Sequence, residues 1–385
     1  MNNNRNRFKR RSSKNTKTSD LNPELLVKKA SGSKADPYVS KRRFKNFDLH
    51  PLILKNVEFK GYDRPTEIQD RCIEKLSRGR NIVGIAATGT GKTGAFLIPI
   101  LQQMLTKRGT TALVVVPTRE LAQQVLSEFK SLSKGTNLQS ACFIGGTSVN
   151  KDLSIAKRSL DLIVGTPGRL LDLTQRGALR INNVPILVLD EFDRMLDMGF
   201  IRDIQKIVSM LKARKQTMLF SATLNSSQEK IIDGLVKKPM RVNVTAGNKS
   251  SDNVDQNIIR VGENENKFEI LLDLISEDSF EKVILFAETK RTVNKLSKQL
   301  SSKGVRSDVI HGNKSQNYRT KAIRLFKAGK TRVLVATDVA ARGIDIEGVT
   351  HVINYQLPQN MDSYIHRIGR TGRAERSGIA YTFVN

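Results

Sequence analysis

The chain has 385 residues, too many for one small hydrophobic core, so two domains of roughly 150–200 residues are expected. Its 65 Lys and Arg outnumber 37 Asp and Glu, and the net charge of +28 favours an anionic polymer as partner. No run approaches the ~18 apolar residues of a membrane-spanning helix, so we expect a cytoplasmic protein without a membrane partner. Cys72 and Cys142 lack the spacing of a zinc site, and we expect both to be reduced core residues.

The first 43 residues have a strongly basic composition that is rich in Asn and Ser. They contain 13 Lys and Arg against three acids, Asp20, Glu24 and Asp36. Because this segment can bury little apolar surface, residues 1–43 are predicted to be a disordered basic arm. Non-specific tethering of nucleic acid is the functional interpretation, and a solubilising tail without a partner is the alternative. The stretch 5–14 also resembles a nuclear address, but a cytoplasmic location is preferred.

From Phe44 onward, short apolar runs alternate with longer amphipathic segments. The runs are continuous, which is typical of parallel strands covered by helices on both faces. Segments 119–132 and 225–236 have the spacing of amphipathic helices. The pattern predicts a doubly wound α/β domain over residues 44–246. Its strands are predicted at Ile82–Ala86, Ala112–Val116, Ser140–Ile144, Leu162–Val164, Ile186–Leu189 and Met218–Phe220.

A glycine-rich turn follows the first of these strands. Residues 86–93 are Ala-Ala-Thr-Gly-Thr-Gly-Lys-Thr, and an apolar segment comes directly after them. Gly89 and Gly91 let backbone N–H groups point at phosphate oxygens, Lys92 can reach the β- and γ-phosphates, and the Thr93 hydroxyl can hold Mg²⁺. Ala86 stands where the strict pattern has glycine, so a flexible strand-to-helix turn remains the alternative.

Two acids follow a later strand in the same way. Four apolar residues, Ile186–Leu189, lead directly into Asp190 and Glu191. This position places both carboxylates at the edge of the sheet where the Lys92 turn should also lie. Asp190 is predicted to hold Mg²⁺ through waters, and Glu191 to orient or deprotonate the attacking water. An ordinary strand-ending turn is the alternative.

Around residues 245–257 the chain becomes polar and loses its apolar periodicity, so residues 247–256 are predicted to be a linker. The alternation then resumes and predicts a second α/β domain over residues 257–385. Two such domains in tandem form a cleft, and ligands of parallel sheets bind at the carboxyl ends of the strands. The strands of the second domain are predicted at Val283–Phe286, Ser307–Ile310, Arg332–Ala336, His351–Asn354 and Ala380–Val384.

Together with seven further motifs, these elements resemble the DEAD-box group of ATP-dependent RNA helicases over residues 44–385. Residues 61–69, Gly-Tyr-Asp-Arg-Pro-Thr-Glu-Ile-Gln, with Phe44 seventeen residues upstream of Gly61, are similar to the adenine-reading Q motif of that family. The other motifs follow in family order: Pro-Thr-Arg-Glu-Leu-Ala at 117–122, Gly-Gly at 145–146, Thr-Pro-Gly-Arg at 166–169, Ser-Ala-Thr at 221–223, Ala-Thr-Asp-Val-Ala-Ala-Arg-Gly-Ile-Asp at 336–345 and His-Arg-Ile-Gly-Arg-Thr-Gly-Arg at 366–373. The resemblance implies two tandem RecA-like domains, each a mostly parallel sheet with helices on both faces.

The resemblance implies that ATP and Mg²⁺ bind between the domains. Gln69 offers donors and an acceptor that match the edge of adenine, and the Phe44 ring can stack on the base. Asp345 is implied to contact the ribose, and Arg370 and Arg373 to act as arginine fingers on the γ-phosphate. The residues implied to hold the nucleotide are Phe44, Arg64, Thr66, Gln69, Ala86, Ala87, Thr88, Gly89, Thr90, Gly91, Lys92, Thr93, Gly343 and Asp345. The implied catalytic set is Lys92, Asp190, Glu191, Arg370 and Arg373, with Thr93 and Asp190 as the Mg²⁺ ligands.

RNA is the implied polymer, held through sugar and phosphate without reading of its sequence. For Arg119, capping of a helix end or a surface ion pair remains the alternative, and for His366 a purely structural role remains open. The residues implied to contact RNA are Pro117, Thr118, Arg119, Gly146, Thr166, Gly168, Arg169, Thr337 and Asp338. Those implied to couple the two sites are Asp193, Ser221, Thr223 and His366.

Three features depart from the family pattern. Phe192 replaces the alanine that gives the family its name, and we expect a change in packing rather than a loss of catalysis. Ala87 occupies a loop position where the family often has glutamine, which we expect to be tolerated. Family members also usually continue through further helices after the last strand.

The implied function is RNA-stimulated ATP hydrolysis by a monomer, coupled to local unwinding of short RNA duplexes or to remodelling of ribonucleoprotein. Ribosomal or other ribonucleoprotein complexes are the further partners considered. Two alternatives are kept: an ATP-gated RNA clamp or assembly scaffold that unwinds weakly, and a DNA-directed helicase. Comparing the stimulation of ATP hydrolysis by RNA and by DNA of the same sequence would test for a DNA-directed helicase, because the 2′-OH distinguishes the two polymers.

Overall fold

The computed structural model describes residues 19, 21–30, 38–87, 89–244, 253–341, 346, 348–372 and 377–384. Within these residues the chain forms two separate parallel β-sheets, one in each half, with helices between the strands. We call the half that contains the first sheet the first lobe and the other the second lobe. This architecture confirms the predicted α/β fold with two mostly parallel sheets.

The first lobe has seven strands in the spatial order β3-β4-β2-β5-β6-β1-β7. Its strands are β1 Ile82–Ala86, β2 Ala112–Val115, β3 Ser140–Phe143, β4 Leu162–Gly165, β5 Ile186–Leu189, β6 Gln216–Ser221 and β7 Met240–Val244. Its helices are α1 Pro51–Phe59, α2 Glu67–Ser77, α3 Lys92–Thr106, α4 Arg119–Leu132, α5 Val149–Ala156, α6 Pro167–Gln175, α7 Phe192–Asp197, α8 Ile201–Met210 and α9 Ser226–Leu235.

The second lobe has six strands in the spatial order β10-β11-β9-β12-β13-β8. Its strands are β8 Val254–Arg260, β9 Val283–Phe286, β10 Ser307–Ile310, β11 Val333–Ala336, β12 His351–Asn354 and β13 Gly378–Val384. Its helices are α10 Lys267–Ser276, α11 Lys290–Ser302, α12 Gln316–Lys327, α13 Asp338–Ala341 and α14 Met361–Ile368.

Each sheet is buried on both faces, which explains why the strands are continuous apolar runs. Along β1, Ile82 packs into one hydrophobic cluster and Val83 into another on the opposite face. In the second lobe, Ile284 and Leu285 divide between two clusters in the same way. Successive side chains of a strand point to opposite faces, so a strand covered by helices on both sides needs apolar residues at every position. Full burial of each such side chain is worth about 1.5–3 kcal/mol.

The local sequence of helix α4 determines where Arg119 and Glu120 lie. Thr118 caps the helix, because its Oγ1 accepts from the Leu121 backbone N at 3.3 Å. Apolar residues then recur every three or four positions through Val125 and Phe129, and this stripe is buried against the first sheet. The helix therefore begins at the carboxyl end of β2 and holds Arg119 and Glu120 in its first turn, at the edge where the lobes meet.

Two edge strands were not predicted. β7 alternates exposed and buried residues. β8 starts at Val254, so it includes the last three residues of the predicted linker 247–256. β7 pairs with β1, and β8 pairs with β13 along residues 254–260. Edge strands need no apolar residue on their exposed face, so their sequences lack the continuous runs of central strands.

The prediction that residues 1–43 are disordered is wrong for residues 21–30 and 38–43, which we call the N-terminal strap. Its first part lies on the second lobe: Leu26 is 1% exposed and belongs to that lobe's core. Lys28 forms an antiparallel bridge with Gln256, with backbone N to O distances of 3.1 and 2.7 Å. The bridge extends the sheet beyond β8, and backbone pairing of this kind does not require an apolar sequence. Most of the predicted arm lies outside the described residues.

The second part of the strap lies on the first lobe. The Arg42 guanidinium donates to Asp70 in α2, with a distance of 2.8 Å from Nε to Oδ1. The Ser40 hydroxyl donates to the other oxygen of the same carboxylate at 2.6 Å, and Arg64 Nη1 donates to the Ser40 carbonyl at 2.5 Å. Ser40 is buried by these contacts. The strap therefore contacts both lobes.

The two cysteines agree with the core positions expected for them. Both are free thiols, with Cys72 buried in α2 and Cys142 half-buried in β3. Burial raises the pKa of each thiol to about 12, so both are poor nucleophiles near neutral pH. Among the helices of the described residues, none has the length and apolar character that crossing a membrane requires.

The acid stability of the second lobe should depend on His351. Its ring stacks on Phe280 with a centroid distance of 3.8 Å, and its Nε2 has no hydrogen-bond partner. Burial lowers the pKa of His351 to about 4. Between pH 6.5 and 4 the unfolded chain binds a proton that the folded chain does not, so the free energy of unfolding falls as pH falls, by about 2 kcal/mol at pH 5.

We expect His351→Phe to keep the stack and to remove this part of the pH dependence. Urea unfolding of both proteins at pH 7 and at pH 5 measures the difference. Equal losses of stability in the two proteins would show that His351 does not cause the acid sensitivity.

Candidate functional site

The glycine-rich turn between β1 and α3 forms a tight loop at the carboxyl end of β1. Gly89 and Gly91 both have positive φ, 86° and 91°. A Cβ on Gly91 would lie 2.7 Å from Gln69 Nε2, so glycine is required there for steric as well as conformational reasons. Gln69 Nε2 also donates to the Gly91 carbonyl at 3.0 Å. The loop is therefore held in place by α2.

The predicted phosphate-binding lysine points into this loop. Lys92 is buried, and its Nζ donates to the Ala86 carbonyl at 2.7 Å. Thr90 closes the turn by donating from Oγ1 to the Ala87 carbonyl at 2.8 Å. Thr88 lies outside the described residues. The ammonium group thus lies inside the loop, at the start of helix α3. A positive charge beside the N–H groups of a helix start favours binding of an anion.

Asp190 and Glu191 follow β5 at the same edge of the sheet, as predicted. They are 2% and 5% exposed, and Asp190 Oδ1 accepts from the Glu191 backbone N at 2.9 Å. Burial raises the pKa of Asp190 to about 6, and the nearby Lys92 opposes this shift. Glu191 Oε2 lies 2.6 Å from Arg194 Nη1, and both side chains are buried.

The backbone of Glu191 is strained. Its φ and ψ are 53° and 50°, a left-handed conformation that a non-glycine residue rarely adopts. In the described part of the chain, Lys238 is the other non-glycine residue with positive φ. Strain of about 1 kcal/mol or more is typical of functional positions that the surrounding structure holds in place.

A cavity of about 390 Å³, the loop cavity, brings these elements together. It contains the two loop glycines, Lys92, Thr93, Gln69 and both acids, and one wall comes from the second lobe. The lining residues are Tyr62, Gln69, Gly89, Gly91, Lys92, Thr93, Gly94, Leu121, Gln124, Ser127, Glu128, Asp190, Glu191, Lys327 and Arg370.

Arg370 is the second-lobe residue that matters most in this cavity. It follows α14, is 4% exposed, and donates from Nε to the His366 carbonyl at 3.2 Å. A buried guanidinium next to a loop built for anions can stabilise negative charge in the cavity. The other predicted second-lobe contributors, Gly343, Asp345 and Arg373, lie outside the described residues.

The residues predicted to bind the base are arranged differently from expectation. Phe44 is 4% exposed, its ring packs against Phe47 and Tyr62, and it does not line the loop cavity. Tyr62 does line the cavity, although sequence reasoning did not select it. Arg64 contacts the strap instead of the cavity.

Gln69 lines the loop cavity while its amide holds two neighbouring groups. Its Oε1 accepts from the Thr66 backbone N at 3.0 Å, and its Nε2 donates to Gly91. Thr66 in turn caps α2. The amide retains a second N–H and a second lone pair, which are the groups that recognition of a base edge requires.

The predicted coupling residues of the first lobe form one network. Asp193 Oδ2 accepts from the Thr223 backbone N at 3.1 Å and from Thr223 Oγ1 at 3.2 Å. The Asp193 backbone N donates to Ser221 Oγ at 3.3 Å, and Ser221 Oγ donates to the Thr223 carbonyl at 2.6 Å. The acidic segment after β5 is thereby fixed to the loop after β6. His366 lies on α14 in the second lobe.

A second cavity, the groove cavity, contains six of the residues predicted to contact RNA. Its volume is about 430 Å³, and it lies at the carboxyl ends of β2 and β4. First-lobe and second-lobe residues both line it: Pro117, Thr118, Arg119, Glu120, Gly145, Thr166, Gly168, Arg169, Met198, Phe200, Gly312, Arg319 and Ala340. Three arginines, two threonines and three glycines are among these residues, and such groups suit a sugar–phosphate chain.

Two arginines of the groove cavity pack against the loop after β3. A Cβ on Gly146 would lie 2.2 Å from Arg119 Nη1, so the guanidinium rests directly on that glycine. Arg169 forms a buried ion pair with Asp152 and donates from Nη2 to the Thr147 carbonyl at 3.1 Å. Each arginine therefore has an internal contact as well as a position on the cavity.

The contact between the lobes at this cavity was not predicted. Glu120 of α4 lies 2.8 Å from Arg319 of α12, and the two side chains are 4% and 6% exposed. Gln316 Nε2 donates to the same carboxylate at 3.1 Å. Glu120 lies inside the Pro-Thr-Arg-Glu-Leu-Ala motif, which was the only available signal, and nothing in the sequence indicated its partner.

The two second-lobe residues predicted to contact RNA, Thr337 and Asp338, lie at the carboxyl end of β11. The Thr337 backbone N donates to the Ile310 carbonyl at 3.2 Å. Asp338 pairs with Arg367 of α14 at 2.5 Å, and Arg367 is buried. Ala340, two residues further along the chain, lines the groove cavity.

Comparison with known proteins identifies the family. A DEAD/DEAH box helicase family model matches residues 66–231, and a helicase conserved C-terminal domain model matches residues 266–375. The DEAD-box ATP-dependent RNA helicase CshA of Geobacillus kaustophilus is 42% identical over 342 residues, which cover 89% of this chain and 73% of that protein.

The chain belongs to the DEAD-box helicase family.

A second relative shows how much of a longer protein the chain matches. The ATP-dependent RNA helicase CshA of Listeria monocytogenes is also 42% identical, over 343 residues that cover 89% of this DEAD-box chain. The chain spans 66% of that relative, just under two thirds of its length.

Two solved structures of DEAD-box proteins differ in their agreement with this one. Saccharomyces cerevisiae Dbp5 bound to RNA and ADP BeF3 has a TM-score of 0.79 at 32% identity, covering 89% of both chains. A DEAD box protein from Methanococcus jannaschii has a TM-score of 0.51 at 39% identity, covering 90% of this chain and 93% of its own. Of these two structures, the one with the higher sequence identity to this chain therefore has the lower TM-score.

Phe192, the departure within the acidic motif of this DEAD-box chain, is a packing residue. Its side chain is fully buried in the cluster that includes Leu189 and Met195, on the face of the sheet opposite Lys92's helix. The ring adds apolar area beneath the acidic segment. That this side chain changes packing without loss of catalysis stays a prediction.

If Arg169 contacts RNA, as the resemblance implies, its replacement should weaken RNA binding, and it should also destabilise the first lobe. We expect Arg169→Ala to raise the RNA concentration that half-saturates ATPase stimulation by roughly 10–100-fold, because a charge-assisted contact of about 1.5–3 kcal/mol is lost. Breaking the buried pair with Asp152 should cost about 3–5 kcal/mol of stability. RNA titration of ATPase activity and urea unfolding measure the two effects.

The double variant Arg169→Ala with Asp152→Ala separates these effects. It should recover much of the stability, since no unpaired buried charge remains, while the RNA requirement stays high. Recovery of normal RNA dependence in the double variant would show that Arg169 has a structural role only.

Proposed function

We propose that this protein is an RNA-stimulated ATPase that separates short RNA duplexes or remodels ribonucleoprotein. The observation that supports this most directly is the position of Arg370: a second-lobe arginine lines the same cavity as Lys92, Asp190 and Glu191 of the first lobe. Such a cavity is complete only when the lobes are together. ATP hydrolysis would then depend on whatever brings the lobes together.

The loop cavity supports ATP as the substrate. Lys92 and the loop N–H groups would hold the β- and γ-phosphates, Gln69 the base, and Arg370 the charge that develops at the γ-phosphate. We propose Glu191 as the group that orients or deprotonates water. Its ion pair with Arg194 and its strained backbone hold that carboxylate in one orientation.

The donor set near Lys92 fits Mg²⁺. Asp190 is a buried carboxylate with Glu191 and Asp193 nearby, and Thr93 offers a hydroxyl in the same cavity. Oxygen donors and accumulated negative charge are what this ion prefers. Thr93 and Asp190 would hold it largely through waters, and bound Mg²⁺ would neutralise charge on the phosphates.

The groove cavity supports RNA as the polymer. It is lined from both lobes, and it presents arginines and backbone edges rather than groups that distinguish one base from another. Because both cavities need both lobes, a ligand in one lowers the cost of closing the other, so ATP and RNA should favour each other's binding. The relatives are named RNA helicases, and Dbp5 with RNA and ADP BeF3 agrees with this chain better than the Methanococcus jannaschii protein does.

The finer assignments are also proposals. We place the domain boundaries at 44–246 and 257–385 with a linker over 247–256, of which residues 254–256 belong to β8. Phe44 would act through its contact with Tyr62. The protein would act in the cytoplasm as a monomer on RNA or on ribosomal and other ribonucleoprotein complexes.

One experiment tests the proposed function. ATP hydrolysis is measured with RNA and with DNA of the same sequence, and strand displacement is measured on a short blunt-ended RNA duplex and on a tailed one. We expect stimulation by RNA alone and ATP-dependent displacement of the short duplex. Stimulation without displacement would indicate a clamp or scaffold, and equal stimulation by DNA would indicate a DNA-directed enzyme.

A further inference from the structure

A third cavity lies where helix α12 of the second lobe faces the first lobe. We call it the seam cavity. Its volume is about 650 Å³, larger than the loop and groove cavities. Both lobes line it: Gln123, Gly146, Thr147, Ser148 and Lys151 come from the first, and Ser315, Gln316, Asn317, Thr320, Lys321 and Arg324 from the second. Polar side chains and backbone make up this lining, so the cavity suits a hydrated, polar ligand.

The residues that line the seam cavity carry positive charges and no negative charge. Lys151, Lys321 and Arg324 line it, and no acid is among its lining residues. Within the part of the chain that the structure describes, none of these three cations takes part in an ion pair. Two acids close to this lining already have partners: Asp152, next to Lys151 in sequence, pairs with Arg169, and Glu120, which accepts from Gln316, pairs with Arg319. Three cations drawn from two lobes therefore favour a ligand with several negative charges.

The seam cavity is the continuation of the groove cavity. Gly145 lines the groove cavity and the next residue, Gly146, lines the seam cavity. The wall between the two cavities is the Glu120, Arg319 and Gln316 contact, since the first two residues line the groove cavity and Gln316 lines the seam cavity. A chain that leaves the groove cavity over the two glycines would enter the seam cavity.

We propose that the seam cavity binds backbone phosphates of the RNA beyond the segment held in the groove cavity, and that it does so with both lobes at once. This inference rests on the proposed function, because it extends the same RNA. Phosphates are the ligand that three unpaired cations and a hydroxyl-rich, non-aromatic lining recognise, since no ring is available for stacking bases. RNA that reaches the seam cavity would stabilise the closed arrangement more than RNA confined to the groove cavity.

The test compares two variants with the same loss of charge. The seam variant carries Lys151→Gln, Lys321→Gln and Arg324→Gln. The control variant carries Lys157→Gln, Arg158→Gln and Arg180→Gln, three exposed cations that line a separate cavity at the amino-terminal edge of the first sheet. Binding to oligouridylates of increasing length is measured with a non-hydrolysable ATP analogue over a range of salt concentrations.

In the wild-type protein and the control, affinity should rise with length once the RNA extends past the groove cavity. The seam variant should lose that rise, and the slope of log affinity against log salt for long RNA should become shallower by roughly 2, as expected for about three phosphate contacts on a single strand. Identical length dependence in the seam and control variants would overturn the proposal.

Inorganic polyphosphate is the third arm of the test. If polyphosphate binds in a way that the seam variant abolishes while RNA length dependence is unchanged, the ligand is a free polyanion and the RNA proposal is wrong. The proposed function fails by a different result, namely that even short RNA does not stimulate ATP hydrolysis by the wild-type protein.

Discussion

Glu191→Gln should lower RNA-stimulated ATP hydrolysis by about 10²–10⁴-fold while leaving ATP binding largely intact, because an amide cannot accept a proton from the attacking water. Glu191 is well placed for this role: its carboxylate is buried, lies in the cavity with Lys92, and is oriented by Arg194 at 2.6 Å. Gln can still accept a hydrogen bond from Arg194, so the geometry should persist. Steady-state ATPase assays with saturating RNA and equilibrium binding of ATP measure the two quantities.

Glu128→Gln is the matched control for that variant. Glu128 lines the same cavity but lies on its rim, half-buried, where it pairs with Lys60 at 2.9 Å. We expect it to keep hydrolysis within a few-fold of wild type. Because Glu191→Gln leaves the Arg194 charge unbalanced, thermal unfolding should accompany both measurements. Normal ATPase activity in a folded Glu191→Gln protein would show that another group handles the water.

Arg370→Ala should lower the rate of hydrolysis by about 10³-fold or more, the loss expected when an arginine finger is removed. The first lobe contains the phosphate loop, so ATP binding without RNA should change little. The effect should appear mainly in the RNA-stimulated rate, since Arg370 reaches the cavity only when the lobes meet. Single-turnover hydrolysis with and without RNA measures this difference.

Two further variants define the role of Arg370. Lys327→Ala removes another second-lobe cation from the lining of the same cavity. If it costs as much as Arg370→Ala, the general positive field of the second lobe is responsible rather than one guanidinium. Arg370→Lys keeps the charge but loses the planar donor geometry, so we expect it to recover only a small part of the rate.

The central strands could be predicted from sequence because burial on both faces leaves a simple pattern. β1, β5, β9 and β12 have the predicted bounds, and so does β10, although it lies at an edge of the second sheet. The edge strands β7 and β8 could not, because half of their residues face outward and a polar sequence can still pair through its backbone.

The position of an aromatic ring was another limit of the sequence. The resemblance of Phe44 and residues 61–69 to the Q motif predicted that the Phe44 ring stacks on the base. It could not show that Phe44 packs inward and that Tyr62 instead lines the loop cavity. Both rings belong to one cluster, in which Phe44 is buried and Tyr62 is half-buried.

Charge pairs between distant segments were the hardest feature to predict. The motifs predicted that Arg169 and Asp338 contact RNA, but in the structure each has a protein partner, Asp152 and Arg367 respectively. Such pairs have no sequence periodicity, since any exposed acid is a candidate partner until the fold is known. The Glu120 pair with Arg319 joins the lobes and had no signal of this kind.

The N-terminal strap sets an upper limit on how far apart the lobes can swing. Ala30 is hydrogen-bonded to Asp255 of the second lobe, and Tyr38 to Asp70 of the first. Eight residue steps separate Ala30 from Tyr38, and a fully extended chain of that length reaches about 27 Å. Any wider separation requires the strap to break its contacts with one lobe, such as the hydrogen bond of Ala30 with Asp255 or that of Tyr38 with Asp70. The N-terminal strap therefore acts as a tether. Small separations of the lobes leave its contacts intact, and larger separations break them.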